Sequence, residues 1–84
     1  MASATPSPTP NPNALKFTLS TRIGEMMNFA GAEEAVTPFA CAVFAAPGVA
    51  SLFGVNDFVT VTRVDGADWE PIISAVKAAA AEHL

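Results

Sequence analysis

Most of the side chains that carry chemistry are scarce in this sequence. Its 84 residues hold one cysteine, Cys41, one histidine, His83, and no tyrosine. A single cysteine excludes an internal disulfide framework and a four-thiolate metal site within one chain. His83 stands next to the last residue, where chains fray. A general base must be held within hydrogen-bond reach of the proton it takes, so this is a poor place for one. A Ser–His–Asp or Cys–His arrangement would have to use this same histidine. Only four basic residues, Lys16, Arg22, Arg63 and Lys77, stand against eight acidic ones, for a net charge of −4. They are scattered, which excludes the electrostatic footprint of a nucleic-acid binder. No GxGxxG or Gly-Lys-Ser/Thr run is present, so Gly48 and Gly54 make no phosphate loop. Asp65, Asp68 and Glu70 cluster, but the group is too short for a calcium loop and reads as a turn and a helix cap. Nothing supplies an acid–base pair or an activated nucleophile, so no enzyme and no resident cofactor are expected.

Long apolar runs are also missing. Residues 35–56 carry no charge over 22 positions, enough to span a bilayer. Pro38, Pro47, Gly48 and Gly54 interrupt them, however, and much of the rest is alanine. The reading is therefore a buried helix, a turn and a strand, with no membrane span. Residues 1–13 lack Lys, Arg and any apolar run, so no secretory leader is expected. The cytoplasm, where a lone thiol stays reduced, is the expected compartment.

What the sequence does have is a small core. Hydrophobic residues make up 51%, but 17 of them are alanine, leaving six Phe, eight Val and one Trp among those that must supply most of the burial. A chain this short makes one domain.

Residues 1–13, with Pro6, Pro8, Pro10 and Pro12, read as a segment that is extended or partly disordered. Residues 14–84 read as the single domain. In residues 14–20, Leu15, Phe17 and Leu19 alternate with Lys16, Thr18 and Ser20, the period of a half-buried strand. Residues 21–36 have no clean period. They read as a long loop broken by Gly24 and Gly31, with a short helical turn at 32–35. Thr37 as N-cap and Pro38 at the first position start a helix, in which Phe39, Val43 and either Ala40 or Phe44 share a face. Pro47-Gly48 stops it. Cys41, flanked by alanines in this helix, reads as a small core hydrophobe, with metal ligation across a chain pair as the alternative.

Residues 49–55 and 58–63 follow as two strands around an Asn56-Asp57 turn. A two-residue loop sets Val55 opposite Phe58 and Phe53 opposite Thr60, on one face with Ser51. Leu52, Val59 and Val61 share the other. An exposed Phe53–Phe58 patch would be a partner site. A bulge or longer loop that turns both Phe inward is the preferred reading. Asp68 caps the last helix, Pro71 falls in its first turn, and Ile72, Ile73, Val76, Ala79 and Ala80 form its apolar stripe.

The order of these pieces is specific. Residues 9–17 read TPNPNALKF. Then come Ala32-Glu33-Glu34-Ala35, Thr37-Pro38-Phe39-Ala40, Val43-Phe44, Pro47-Gly48-Val49 and Leu52-Phe53-Gly54. Residues 57–63 read DFVTVTR, and Trp69 opens the last helix. From Thr9 onward the chain resembles the N-terminal domain of the Nfu/NifU-type iron–sulfur scaffold and carrier proteins. The resemblance implies an α+β fold, a small two-layer sandwich with an antiparallel sheet of three to four strands and two helices on one face. The expected order is β-α-β-β-α. Family members often add a strand before the TPNP stretch, which Pro6 and Pro8 put in doubt here.

In the family a C-terminal domain with a C-x-x-C pair binds the cluster, and these 84 residues contain no such pair. The resemblance then implies a stand-alone, non-catalytic interaction module of iron–sulfur cluster assembly or delivery. Its partners would be assembly factors, client apoproteins or a separate C-x-x-C protein, with neither nucleic acid nor membrane among them. The candidate partner-binding residues are Phe53, Asp57 and Phe58 of the hairpin, Asn11 and Asn13 of the segment expected beside it, and Trp69. The alternative is a dimeric metal or iron–sulfur carrier that uses Cys41 with external thiols such as glutathione, because two thiolates per dimer do not complete a cluster.

Overall fold

The computed structural model of the protein describes residues 2–23 and 26–84, and only the backbone of Ala32. Met1 at the head of the proline-rich segment and the break assigned to Gly24 lie outside the described residues.

Alternation of apolar and polar residues builds the sheet. Strand β1 spans Ala4–Pro8, β2 Ala14–Leu19, β3 Met27–Phe29, β4 Val49–Val55 and β5 Phe58–Arg63. They lie in the order β1-β2-β5-β4-β3, each antiparallel to its neighbour. β2 buries Phe17 and Leu19 and exposes Lys16 and Thr18, the period of two that a one-sided strand requires.

The sheet thus has five strands where three or four were expected. One addition is β1, whose prolines had put it in doubt. β1 is an end strand, and Pro6 and Pro8 are two residues apart, so both missing N–H groups can fall on its open side. Ser3 and Ser20 also tie its start to the end of β2, with Ser20 N–H donating to the Ser3 carbonyl at 3.0 Å and Ser3 N–H to Ser20 Oγ at 2.8 Å. The other addition is β3, inside the stretch read as a loop. Three residues are too few to show a period in sequence. They pair with Leu52, Phe53 and Gly54 of β4.

The hairpin takes the two-residue register, with Val55 opposite Phe58 and Phe53 opposite Thr60. Asn56 closes it at φ 58°, a left-handed conformation that asparagine tolerates. The expected inward turn of both Phe is corrected by the ladder itself. Its register shift lies between Val49 and Ser51, at the end remote from the turn, and so cannot reverse the residues beside the loop. Phe53 is 38% exposed and Phe58 half-buried. Gly54 allows a close approach. A Cβ there would lie 2.8 Å from Val59 Cγ1 and 2.9 Å from Ile23 Cδ1.

Helix α1 spans Pro38–Phe44 and α2 Trp69–His83. Thr37 Oγ1 accepts from Ala40 N–H at 3.2 Å, the side-chain cap expected of threonine. Asp68 holds the cap position of α2 with extended backbone, but its side chain makes no capping hydrogen bond. It and Glu70 act there as acids near the positive helix end. A short 3-10 turn at Ala32–Glu34 precedes α1. Gly48, at φ 88°, turns the chain out of α1 in a conformation costly to residues with a Cβ.

Both helices cover one face of the sheet. Phe39, Ala40 and Val43 of α1 and Ile72, Val76, Ala79 and Ala80 of α2 are buried with Phe17, Leu52, Val59 and Val61. Ile73 is only half-buried. Cys41 falls on the opposite side of α1 and is exposed, which corrects its reading as a core hydrophobe. Its neighbours Ala40 and Val43 take the buried positions instead. No helix among the described residues is long and apolar enough to cross a membrane.

Candidate partner-binding surface

The residues singled out from the sequence separate into two groups at opposite ends of β5. Phe58 and Arg63 bound that strand, five residues and about 16 Å apart at the usual rise.

The Arg63 end holds Asn11, Asn13 and Trp69. The stretch Thr9–Asn13 forms a turn that folds on itself. Asn11 Oδ1 accepts from Asn13 N–H at 2.9 Å, while the single hydroxyl proton of Thr9 is shared between the Asn11 and Ala14 carbonyls, each 2.9 Å from Oγ1. Asn13 then meets β5 twice. Its carbonyl accepts from Arg63 N–H at 2.8 Å and its Oδ1 from Arg63 Nε at 3.2 Å. A second arm of the guanidinium donates to the Ala67 carbonyl at 2.7 Å, and the group lies 5.2 Å from the Trp69 ring centre. The planar fork of arginine suits such a multiple junction. Sequence reasoning chose Asn13 and Trp69 but missed Arg63, which joins them. The signal was the arginine at the end of DFVTVTR, a charge finishing an apolar strand.

The hairpin end holds Phe53, Asp57 and Phe58. Carbonyl groups of the turn anchor it to neighbouring chain, with Asp57 O accepting from Leu19 N–H and Asn56 O from Ile23 N–H, each at 2.7 Å. Phe53, Val55 and Phe58 share the face turned away from the helices with Ser51, Thr60 and Thr62 and with Lys16 and Thr18 of β2. Lys16 Nζ lies 4.4 Å above the Phe58 ring. The outer face is therefore largely polar, with one apolar group near the turn. Asn11 and Asn13 do not lie beside the hairpin turn, because the β2–β5 register sets Ala14 opposite Thr62 and Thr18 opposite Phe58.

No cluster of three or more His, Cys, Asp or Glu side chains gathers among the described residues. Cys41 Sγ has the Ala35 carbonyl at 3.6 Å. One thiolate per chain is three short of the four that an ordinary iron–sulfur cluster takes.

A cleft that the sequence did not reveal lies at the β3 edge. It measures about 450 Å³, and its walls include Ile23, Met27, Phe29, Val36, Phe39 and Leu84. The adjacent Met26-Met27 and Phe29 in an otherwise weakly patterned stretch were the available signal.

A family model described as "Scaffold protein Nfu/NifU N terminal" matches residues 5–84. Conserved virulence factor C of Staphylococcus aureus is 38% identical over 74 residues, covering 86% of this chain and 20% of that protein. NifU-like protein 5, mitochondrial, of Arabidopsis thaliana is 38% identical over 65 residues, covering 74% of this chain and 24% of that protein. The chain thus spans between a fifth and a quarter of these relatives. The crystal structure of protein SAV1430 from Staphylococcus aureus is similar in fold, with a TM-score of 0.78 at 29% identity over 92% of this chain and 96% of that one. The NifU-like protein from Saccharomyces cerevisiae gives a TM-score of 0.78 at 26% identity, over 94% of this chain and 75% of that one. With the α+β fold, the TPNPNALKF and DFVTVTR stretches and the match over residues 5–84 in agreement, the chain belongs to the Nfu/NifU N-terminal family.

Proposed function

We propose that this domain is a non-catalytic interaction module of iron–sulfur cluster assembly or delivery. It docks assembly factors, client apoproteins or a separate C-x-x-C protein, and leaves the cluster to them. Family membership supports the iron–sulfur context. The observation that carries the docking reading is the outer face, where Phe53 at 38% exposure stands with Val55 and Phe58 beside the hairpin turn. Helices cover the other face and leave this one open, and a group of this kind on a polar surface fits a partner contact. Asp57 at the turn would extend this contact, and the Asn11–Asn13–Trp69 end of β5, where Trp69 belongs to the helix side, would serve a separate, more polar one. The module works in a reducing compartment such as the cytoplasm.

The experiment is anaerobic capture with tagged protein from an extract of its own cells, with bound proteins identified by mass spectrometry. Wild type should enrich iron–sulfur proteins or assembly factors. Phe58→Asp should remain folded by circular dichroism and lose them. A Phe58→Asp protein that stays folded and captures the same set removes the outer face from the reading. Capture of unrelated proteins alone removes the iron–sulfur context.

A further inference from the structure

The edge of the sheet formed by β3 has features that the outer-face reading does not use. β3 ends the sheet, so its outward backbone groups meet no further strand among the described residues. Met27 and Phe29 point to the helix-covered face and line the cleft of about 450 Å³, whose other walls come from Val36, Phe39 and Leu84. The rim exposes Met26 at 65% and Val36 at 80%. The opposite end strand, β1, is blunted by Pro6 and Pro8.

Acidic residues outnumber basic ones around the cleft, where exposed Arg22, next to the wall residue Ile23, is the one cation beside them among the described residues. Exposed Glu33 and Glu34 follow β3 in the 3-10 turn, and exposed Glu82 stands at the end of α2. The wall itself carries one titratable group, His83, 3.7 Å from the Glu82 carboxylate. We infer that this edge receives an extended peptide from a protein partner, with apolar side chains at alternate positions and Lys or Arg at its ends. Strand addition draws affinity from main-chain hydrogen bonds and specificity from pockets for every second side chain. In an added strand, alternate side chains project on the same side as Met27 and Phe29, and so into the cleft. The acidic rim meets the basic ends. A helix could fill the cleft but would leave the β3 backbone edge unpaired. Three residues offer few main-chain bonds, so the complex is weak. The inference stands independently of the outer-face reading.

The test uses fluorescein-labelled synthetic decapeptides, fluorescence polarisation and amide NMR of the whole chain. The first probe alternates Ile and Val with Ser and Thr between Lys ends. A second has the same composition with its apolar residues at helical spacing, and a third carries Glu ends. The first should bind with a Kd on the order of 100 µM, with shifts centred on Met27–Phe29, Val36 and Leu84. The other two should bind at least about tenfold more weakly, a difference of roughly 1.4 kcal/mol. Val36→Lys, at an exposed position, should melt like wild type and bind the first probe about tenfold more weakly. The inference is overturned by equal binding of the helical-spaced probe or by shifts centred on Phe53–Phe58. It fails equally if no binding saturates, or if the β3 signals instead report pairing with a second copy of the chain.

Discussion

At one end of β5 the Arg63 guanidinium lies 5.2 Å from the Trp69 ring, and at the other the Lys16 ammonium lies 4.4 Å from the Phe58 ring. The closer pair is the less constrained. Arg63 also donates from Nε to Asn13 and from a terminal nitrogen to Ala67, so it joins the turn before β2, the end of β5 and the start of α2. Lys16 is exposed and leans over a half-buried ring on the open face. A flexible ammonium keeps its hydration in such a place. Separation therefore does not distinguish a structural junction from an available surface. What distinguishes them is how many separate chain segments the cation ties together.

The largest expected effect is at the junction. Trp69→Ala removes a half-buried ring that packs against the core and under Arg63. It should cost about 3 kcal/mol in urea unfolding. Arg63→Lys keeps the charge but not the fork, and should cost about 1–2 kcal/mol. An unchanged midpoint for this variant would make the two ends of β5 equivalent and dissolve the contrast. Asn13→Ala removes the acceptor for Arg63 Nε while the Arg63–Ala67 bond stays, and should cost about 1 kcal/mol.

Most of the sheet was legible in the sequence because its strands alternate. The boundaries 49–55 and 58–63 and the Asn56-Asp57 turn are those of the structure, since apolar runs there meet a residue pair suited to a tight turn. The α1 start was legible for the same local reason, with Thr37 and Pro38 adjacent. What stayed hidden depends on neighbours. β1 is a strand because an edge tolerates Pro6 and Pro8, and that requires knowing which strand is the edge. β3 is defined by pairing to β4, which no three-residue pattern announces. Cys41 was assigned inward although Ala40 and Val43 already fill that face of α1. In the candidate surface, the register of Phe53 and Phe58 was derivable but the preference for an inward bulge was not supported. Asn11 and Asn13 were set at the wrong end of β5 because strand order is not a local property.

On the outer face, effects on stability should be small while effects on binding are large. Phe53 opposes Thr60 on one side and Asn28 on the other, so Phe53→Thr places a β-branched residue among polar neighbours that already suit the pleat. Its stability should change by no more than about 0.5 kcal/mol, measured by the same urea titration. A loss comparable to that of Trp69→Ala would make Phe53 a structural residue and end the distinction between the two ends of β5.

The smallest effect sharpens the comparison most. A double-mutant cycle of Lys16→Ala and Phe58→Ala isolates the exposed cation–ring pair, and its coupling should be about 0.5 kcal/mol. The matching cycle of Arg63→Ala and Trp69→Ala should give a larger coupling, because the stacked arginine is held in place by Asn13 and Ala67 and loses little side-chain freedom when it meets the ring. Salt separates them further. Added salt should screen the Lys16 pair on the open face more strongly than the half-buried Arg63 pair. If the Lys16 coupling equals the Arg63 coupling at high salt, the outer aromatic is locked rather than available, and a partner would have to displace Lys16 before it could reach Phe58.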